Sequence, residues 1–461
     1  MLSTKKFKFF SLVPVEILAL FMGGLIYTGI LTPVNRKQFS SLIPCSSIKY
    51  VEGIIDSNPV KTSTGKYYSM QLKVTRASTS ITKNYLTSQA RGNILLIVNA
   101  AQVEALYPGK LYSKKEKSKM PPLQFYNTDI IVPNSINKQD LPIFETGARL
   151  RVITSWLKPD PKYNYSKSKS VFSSPYTTNV FMAKKIEHCG WTSKLTKIRA
   201  HFRLAFRKVL FLWGDAGGLL LALLSGTREY TNSILAESFK KAGLSHILAL
   251  SGMHLSLFAG IAKLLGSITG GKRFSKFISP IIVICFVWFA GFSPSLFRAL
   301  VCTFISMFVS LCFMTPRFSA TLSLAFLLQI SFFPQDSFSP AFILSYGALI
   351  GIIIGEKIFS TFNNRFLPPE IASGFTAAEG AQICTAPVTI GLFGSIMPIG
   401  LISSVIVSPL ASIFLVFGLC CIILGMVVPI LMSPLGFAVQ FFYTILEHIV
   451  LFFSQFPSIT F

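Results

Sequence analysis

Residues 246–256 combine two histidines, a glycine and two serines in an otherwise apolar stretch that reads His-Ile-Leu-Ala-Leu-Ser-Gly-Met-His-Leu-Ser. An ionisable side chain at membrane depth costs free energy unless it faces a bundle interior or a water-filled cavity. Alternatively, a single histidine in this segment could be a core residue whose ring is fully hydrogen-bonded. The whole segment is harder to explain by packing alone, and it is the first candidate for a functional site.

The backbone conformation of this segment decides which of its side chains meet. In one continuous helix His246 and His254 share a stripe, and Ser251 points about 140° away from His246. A break at Ser251 and Gly252 brings these groups closer, because glycine tolerates unusual backbone angles and the freed amides and hydroxyls can face a pore. No metal site is predicted, because the histidines lack the i, i+4 spacing of a zinc helix and no carboxylate lies between them.

A second candidate segment covers residues 293–299, where Arg298 follows Pro294 in apolar sequence. Arginine is permanently charged, so it either snorkels to the membrane interface or meets an anion or water in a pore. Both alternatives fit a position near a helix start. Ser345 and Glu379 are weaker candidates of the same kind, because each is a polar residue within an apolar segment.

The composition identifies an integral membrane protein. Hydrophobic residues make up 51% of the chain, charged residues 13%, and the mean hydropathy is +0.57. The charged share of a globular protein is about 25%. Residues 33–210 hold 29 Lys plus Arg against 9 Asp plus Glu, whereas residues 211–461 hold 11 against 8. Nearly all the excess positive charge therefore lies in one polar segment.

An apolar run over residues 12–32, preceded by three lysines, predicts an N-terminal transmembrane helix within residues 1–33. A signal peptide is the alternative, but the run is long for one and has no clear cleavage site. The positive-inside rule places the N-terminus in the cytoplasm and the polar residues 34–193 outside it. The expected location is the cytoplasmic (inner) membrane, crossed several times.

The polar segment, residues 34–193, has the pattern of a small antiparallel barrel. Runs of strand character are separated by turn signals such as Pro-Gly and Ser-Thr-Gly. These runs cover residues 48–55, 67–75, 94–98 and 129–132. We predict an OB-like domain, in which Cys45 and Cys189 form a disulfide in an oxidising compartment.

Basic residues in and after this domain have several possible partners. Residues 112–122 and 159–176 mix lysines with tyrosines, which is typical of a solvated surface but also suits the phosphates and bases of single-stranded nucleic acid. Residues 194–212 place basic and apolar side chains at helical spacing. They predict a basic amphipathic helix that lies on anionic lipid headgroups or docks against membrane helices, rather than one that contacts nucleic acid.

Residues 213–461 contain nine apolar segments in quick succession and predict seven to nine membrane passes or half-passes. Several are shorter than the roughly 20 residues of a straight span, so some are re-entrant or broken helices, which line cavities rather than lipid. The predicted fold class is a polytopic α-helical membrane protein with an extracytoplasmic small β-barrel (OB-like) domain.

The chain resembles the ComEC-type competence proteins. Their membrane region carries a histidine-to-histidine motif like residues 246–254, followed by a Ser-Pro-Ser-x-x-Arg-Ala segment like residues 293–299. The similarity also takes in residues 219–228, 239–260, 334–353 and 378–415. It implies a channel that carries single-stranded DNA across the cytoplasmic membrane in natural transformation, with an OB-like domain that engages DNA. The channel-lining or structurally required residues that it implies are His246, Ser251, Gly252, His254, Pro294, Arg298 and Ser345.

The chain departs from the family pattern at Thr227, where members often have Asp, and at Ile343, where they often have Gln. Each change removes a charged or polar group. Many members also end in a metallo-β-lactamase-like domain, whose His-x-His-x-Asp-His ligand set the five histidines of this chain cannot compose. We therefore expect a form without that domain, with no nuclease activity, no metal and no cofactor.

The predicted function is a DNA channel rather than an enzyme. The sequence has no Gly-x-x-x-x-Gly-Lys-Ser/Thr segment, so the energy for transport is expected from a separate cytoplasmic motor protein. Further expected partners are membrane lipids, a DNA receptor and a nuclease. The alternative is a proton-coupled transporter of small solutes or lipid-linked molecules with the same fold. An intramembrane serine enzyme is disfavoured, because no Gly-x-Ser-x-Gly elbow accompanies the histidines.

Overall fold

The structure is a computed structural model. It describes residues 39–61, 66–79, 88–100, 129–131, 142–157, 179–226, 231–291, 293–333 and 339–460, together with residues 23 and 103. The chain forms two compact units, a barrel unit that ends at Leu212 and a helical unit that runs from Trp213 to the C-terminus. The predicted N-terminal helix and the two lysine-rich stretches lie outside the described residues.

The described part of the barrel unit contains eight strands. They are β1 (Ser40–Ser41), β2 (Tyr50–Ile55), β3 (Val60–Lys61), β4 (Tyr67–Ser78), β5 (Ser88–Asn99), β6 (Asp129–Ile131), β7 (Ala148–Trp156) and β8 (Val180–Trp191). Antiparallel pairings join β5 to β4, β4 to β2, β2 to β7 and β7 to β8, and a parallel pairing between β5 and β8 closes the circle. These five strands form a closed, OB-like barrel.

The alternation of side chains along the strands builds the barrel core. In β4 every second residue from Tyr68 to Val74 is buried, while the residues between them are more exposed. At Gly53 in β2 an added Cβ would lie 2.7 Å from the carbonyl oxygen of Lys73, so the close approach of β2 and β4 requires glycine. A shift in register beside Gly53 bends the strand at the same place.

Helix α1 (Lys194–Phe211) follows β8 and is capped by its own first residues. The hydroxyl of Ser193 accepts the N–H of Thr196 over 3.2 Å, and the hydroxyl of Thr196 accepts the N–H of Ser193 over 3.1 Å. This reciprocal capping satisfies two backbone donors that a helix start leaves unpaired. The direction of the helix is therefore set where the barrel ends.

A buried ion cluster holds α1 on the barrel. Nε of Arg203 lies 3.0 Å from Oε2 of Glu145, Nη2 of Arg207 lies 2.7 Å from Oε1 of Glu145, and all three side chains are at most 6% exposed. Burial alone would raise the pKa of Glu145, but the two guanidinium groups outweigh it and hold that pKa below its usual value. The carboxylate is thus charged and doubly paired at neutral pH.

The helical unit contains nine helices in its described part. They are α2 (Gly214–Ser225), α3 (Ser233–Lys241), α4 (Gly252–Ala290), α5 (Pro294–Leu311), α6 (Phe318–Phe332), α7 (Pro340–Phe366), α8 (Pro369–Phe393), α9 (Gly400–Val427) and α10 (Met432–Ser454). A short antiparallel pair, β9 (Ser395–Ile396) with β10 (Ile459–Thr460), accompanies them. Helix α4 is interrupted at Gly271, whose φ of +78° is not helical.

Four segments of the described chain are long and apolar enough to cross a membrane, namely Pro294–Leu311, Pro340–Phe366, Gly400–Val427 and Pro429–Ser454. Shorter apolar helices include α2, α6 and the part of α4 after its interruption. The protein is therefore a multi-pass membrane protein, and the predicted fold class of membrane helices plus an OB-like barrel is confirmed.

Glycines bring α7 and α8 into close contact. A Cβ on Gly351 would overlap the carbonyl oxygen of Gly380, and one on Gly355 would lie 2.8 Å from the Cα of Gly380. Near the other end of the pair, Nδ2 of Asn363 donates to the hydroxyl of Thr376 over 2.8 Å. Small residues permit such backbone contact between membrane helices, and buried polar pairs add to it. The two helices form one closely packed hairpin.

Candidate functional site

Helix α4 begins within the first candidate motif, at Gly252, after turns that occupy residues 242–248. Ser251 precedes the helix in extended conformation, and its backbone N–H donates to Nδ1 of His254 over 3.3 Å. A side chain at the third helical position that accepts the N-cap amide is half of a capping box. The break in the helix therefore brings Ser251 and His254 together.

The imidazole of His254 is deeply buried, with 1% of the residue exposed. Because Nδ1 accepts the Ser251 amide, a neutral ring carries its hydrogen on Nε2. Nε2 is buried and has no hydrogen-bond partner among the described residues. A buried donor without an acceptor costs about 1–3 kcal/mol, and that cost is offset when an acceptor oxygen reaches the ring.

Helix α5 begins at the second candidate motif and positions Arg298 one turn from its start. The hydroxyl of Ser293 accepts the N–H of Leu296 over 3.3 Å, and Pro294 takes the first helical position, where it gives up no helical hydrogen bond. Arg298 is 6% exposed. Its Nη1 donates to the backbone carbonyl of Ser345 on α7 over 2.6 Å, and also to the Ser345 hydroxyl.

Neutral groups surround the buried charge of Arg298. Its Cζ lies 5.7 Å from the centre of the Tyr346 ring, within cation–π range. Within the described part of the chain, no ion pair includes Arg298. A buried cation without a carboxylate partner leaves positive potential around it, which an anion can neutralise.

The two motifs contact each other. An added Cβ on Gly252 would lie 3.3 Å from Nη2 of Arg298 and 3.7 Å from Cβ of Ala299. The hydroxyl of Ser295 donates to the carbonyl of Leu250 over 2.7 Å. The start of α4 therefore rests against the first turn of α5, and the arginine lies beside the first residue of α4.

Two further polar residues support this cluster and were not among the candidates drawn from the sequence. Nε2 of Gln329, on α6, donates to the carbonyl of Pro294 over 3.0 Å, and Oε1 of Gln329 accepts the hydroxyl of Tyr346 over 3.1 Å. Both side chains are buried. The sequence feature that could have identified them is the polar amide of Gln329 among the apolar residues of α6.

Two of the sequence candidates lie apart from this cluster. His246 occupies the turns before α4, and no hydrogen bond between described residues joins it to His254 or Arg298. Glu379 lies on α8, where it accepts a hydrogen bond from Asn363 over 3.2 Å. Of the family departures, Thr227 lies outside the described residues and Ile343 is on α7, two residues before Ser345.

A basic groove of about 590 Å³ lies on the barrel along β4 and β5. It is lined by Asp56, Lys73, Val74, Thr75, Arg76, Gln89, Ala90, Arg91, Gly92 and Asn93. Three cationic side chains thus face one carboxylate, and that carboxylate accepts a hydrogen bond from the side chain of Asn93 over 3.1 Å. The lining therefore carries a net positive charge.

The two cysteines of the barrel unit are free thiols in this structure. Cys45 lies in a short 3-10 helix before β2, and Cys189 is exposed on β8. Partial burial raises the pKa of each thiol. Their pairing stays a prediction. The described residues contain no group of three or more His, Cys, Asp or Glu side chains arranged to hold a metal ion.

The structure is that of a multi-pass membrane protein with an OB-like domain. Its helical unit contains a buried polar site with a positive charge, formed around His254 and Arg298. The chain belongs to the competence protein family, because the profile of the family described as "Competence protein" matches residues 223–461, more than half of its length. The resemblance to ComEC-type proteins is confirmed.

Two relatives from bacteria are similar to the chain. ComE operon protein 3 of Bacillus subtilis (strain 168) is 24% identical over 261 residues, which are 56% of this chain and 32% of that protein. Recombination protein 2 of Haemophilus influenzae is 27% identical over 218 residues, which are 43% of this chain and 27% of that protein. The match thus spans about a third or less of either relative. No solved structure matches the chain.

Proposed function

We propose that this protein is a membrane channel for single-stranded DNA, which it transports across the cytoplasmic membrane during natural transformation. Membership of the competence family supports a role in DNA uptake, and the name of one relative, Recombination protein 2, refers to recombination. The barrel lies outside the cytoplasm, and the N-terminus lies inside it. Transport rather than catalysis is the activity of the polypeptide.

The observation that carries this proposal is the buried charge of Arg298. A backbone phosphate of DNA is a monoanion with two acceptor oxygens, and it matches a guanidinium that has no carboxylate partner among the described residues. The Nε2–H of His254, on the neighbouring helix α4, is a second donor that could bind a phosphate oxygen. Successive phosphates are exchanged at such a site if each is bound weakly enough to leave.

The groove on the barrel is the second element of the proposal. OB folds bind oligonucleotides on the face of their second and third strands, and β4 and β5 hold that place in this barrel. Lys73, Arg76 and Arg91 would contact phosphates there. The groove concentrates DNA before transport, while a separate receptor, nuclease and motor protein supply capture, strand degradation and energy.

Uptake of labelled DNA into the cytoplasm tests the proposal. Cells would carry the intact gene, a deletion, His254→Ala or His448→Ala, at matched levels of membrane protein. His448 is the control, because it is exposed and its ring is hydrogen-bonded to the carbonyl of Thr444 on its own helix. We expect uptake to be lost in the deletion strain and in His254→Ala but kept in His448→Ala. Uptake that survives deletion in competent cells would refute the channel.

A proton-coupled transporter of small solutes or lipid-linked molecules is the second candidate. The buried imidazole with an unpartnered Nε2 among the described residues is the observation that favours it, because such a ring can relay a proton. This candidate predicts a pH-driven flux in vesicles that His254→Ala abolishes, together with DNA uptake that the deletion leaves unchanged. The same strains therefore separate the two functions.

A further inference from the structure

Helix α1 turns its arginines inward. Arg203 and Arg207 are buried on Glu145, and Nη1 of Arg199 donates to the hydroxyl of Thr146 over 2.6 Å. All of these contacts lie on the side that faces the barrel. The three arginines of the helix therefore attach it to the barrel, and they are not part of its outer surface.

The outer surface of α1 is apolar. Leu195, Ile198, Phe202 and Leu212 are exposed, and Phe202 has 59% of its surface accessible. At 100° per residue these positions fall on one stripe along the helix, opposite the buried arginines. In a water-exposed domain such a stripe would be unfavourable, so it requires a partner that removes it from water.

Basic side chains follow one edge of this stripe. Lys194, Lys197, His201 and Lys208 are all exposed, and the helical spacing puts them on the same side of the apolar residues. The pattern of an apolar face bordered by lysines is typical of helices that lie in the plane of a membrane surface. A polyanion such as DNA would match the lysines but not the apolar stripe.

The position of α1 in the chain agrees with a membrane surface. Only Leu212 separates the end of the helix from Trp213, where the helical unit begins. Helix α1 is therefore the segment of chain that leads directly into the membrane-spanning unit. A helix at this place in the sequence is joined without a linker to a segment that enters the membrane, as is typical of helices that bind the membrane surface.

We propose that α1 is a lipid-binding surface, in which the stripe formed by Leu195, Ile198 and Phe202 inserts into the interface of an anionic bilayer. The lysine edge contacts the phosphates of the headgroups. The Glu145 cluster keeps the barrel fixed to this helix. The barrel and its groove are thereby held at the membrane surface.

Photo-crosslinking of the full-length protein in vesicles tests this surface. A benzophenone amino acid would replace Phe202, or Val60 as a matched control, because Val60 on β3 is an apolar residue with a similar exposure of 64%. Vesicles would contain radiolabelled phosphatidylcholine, with or without phosphatidylglycerol. We expect about fivefold more lipid label at position 202 than at position 60, increasing with the anionic lipid.

Two outcomes would overturn the proposal. Equal lipid labelling at both positions would mean that the stripe is not inserted. Crosslinking of position 202 to the helical unit, or to a second copy of the chain, would mean that protein covers the stripe instead. A further variant, in which Lys194, Lys197 and Lys208 are changed to Gln, keeps the apolar stripe. In this variant, position 202 should still label lipid, but phosphatidylglycerol should no longer increase the labelling. If phosphatidylglycerol still increases the labelling, the lysines do not contact the headgroups as proposed.

Discussion

Arg298 and Ser345 are joined side chain to main chain across 47 residues of sequence, because Nη1 of the arginine reaches both the carbonyl and the hydroxyl of the serine. The contact fastens the first turn of α5 to α7, which itself packs tightly on α8. It also keeps the guanidinium beside Gly252, at the start of α4. One buried charge thus joins three helices of the unit, α4, α5 and α7.

Replacing Arg298 with Gln should reduce DNA uptake at least tenfold. The change removes the cation that we propose to bind phosphate, and a hydrogen bond to a charged group contributes about 1.5–3 kcal/mol, which is tenfold or more in binding. Arg298→Lys should retain part of the uptake, because it keeps the charge but loses the forked geometry. Labelled-DNA uptake at matched protein levels measures both.

Two other variants control for this result. Arg317→Gln makes the same change at an exposed arginine before α6 and should leave uptake unchanged. Ser345→Ala removes a hydroxyl but keeps the carbonyl that accepts from Arg298, so uptake should fall less than threefold, or roughly half a kcal/mol. An equal loss in Arg298→Gln and Arg317→Gln would assign the effect to overall charge and not to the buried site.

Residue patterns predicted part of this architecture and missed the rest for physical reasons. Alternating burial marks β4 clearly, whereas β7 and β8 were not predicted, because arginines and lysines at their outward positions resemble a solvated loop. Strand pairing between β5 and β8 joins residues far apart in sequence, and no local pattern reports it. The OB-like barrel was nevertheless predicted from the strands and turns that are visible locally.

The candidate site shows the same division between local and long-range information. The helix break at Gly252 follows from local residues, since serine before glycine favours a helix start. The contact of Arg298 with Ser345 depends on how α5 packs against α7, and Gln329 joins only through α6. His246 matched the motif but lies in the turns before α4, because the helix that would align it with His254 starts six residues later.

Glu145→Gln should loosen α1 from the barrel at neutral pH. Removing one partner of a buried ion cluster leaves two buried guanidinium groups without their counter-charge, at a cost of about 3–5 kcal/mol. Hydrogen–deuterium exchange of the peptide that covers α1 should therefore be faster in the variant. The matched control is Glu52→Gln, which breaks a partly exposed ion pair with Arg151 and should cost no more than about 1 kcal/mol.

The difference between Glu145→Gln and the unchanged protein should depend on pH. The folded pKa of Glu145 is lowered, so its stabilising effect is fully present above the unfolded value of about 4.3 and is lost as the pH falls through the lower folded pKa. Exchange rates of the two proteins, compared at each pH, should converge only in that acidic range. Convergence already near pH 6 would show that the carboxylate is not held charged by the arginines.

Gly351→Ala should destabilise the helical unit strongly. The new Cβ would overlap the carbonyl of Gly380, which is backbone and cannot move without separating α7 from α8. Gly260→Ala is the control, because nothing lies within 4 Å of its Cβ position on α4. Alanine is the better helix former by about 1 kcal/mol, so this control should be neutral or stabilising. Thermal unfolding in detergent, monitored by helical circular dichroism, distinguishes the two, and equal midpoints would contradict the close packing.

The double variant Arg76→Gln, Arg91→Gln should weaken binding of single-stranded DNA by the full-length protein and make it less sensitive to salt. Each phosphate contact contributes about 0.7 to the slope of log affinity against log salt concentration, so losing two contacts should lower that slope by roughly 1.4. Lys184→Gln, Lys185→Gln is the matched control, since both lysines are exposed on β8 outside the groove. If the control lowers the slope as much as the groove variant does, DNA is attracted by the general charge of the barrel and is not bound along β4 and β5.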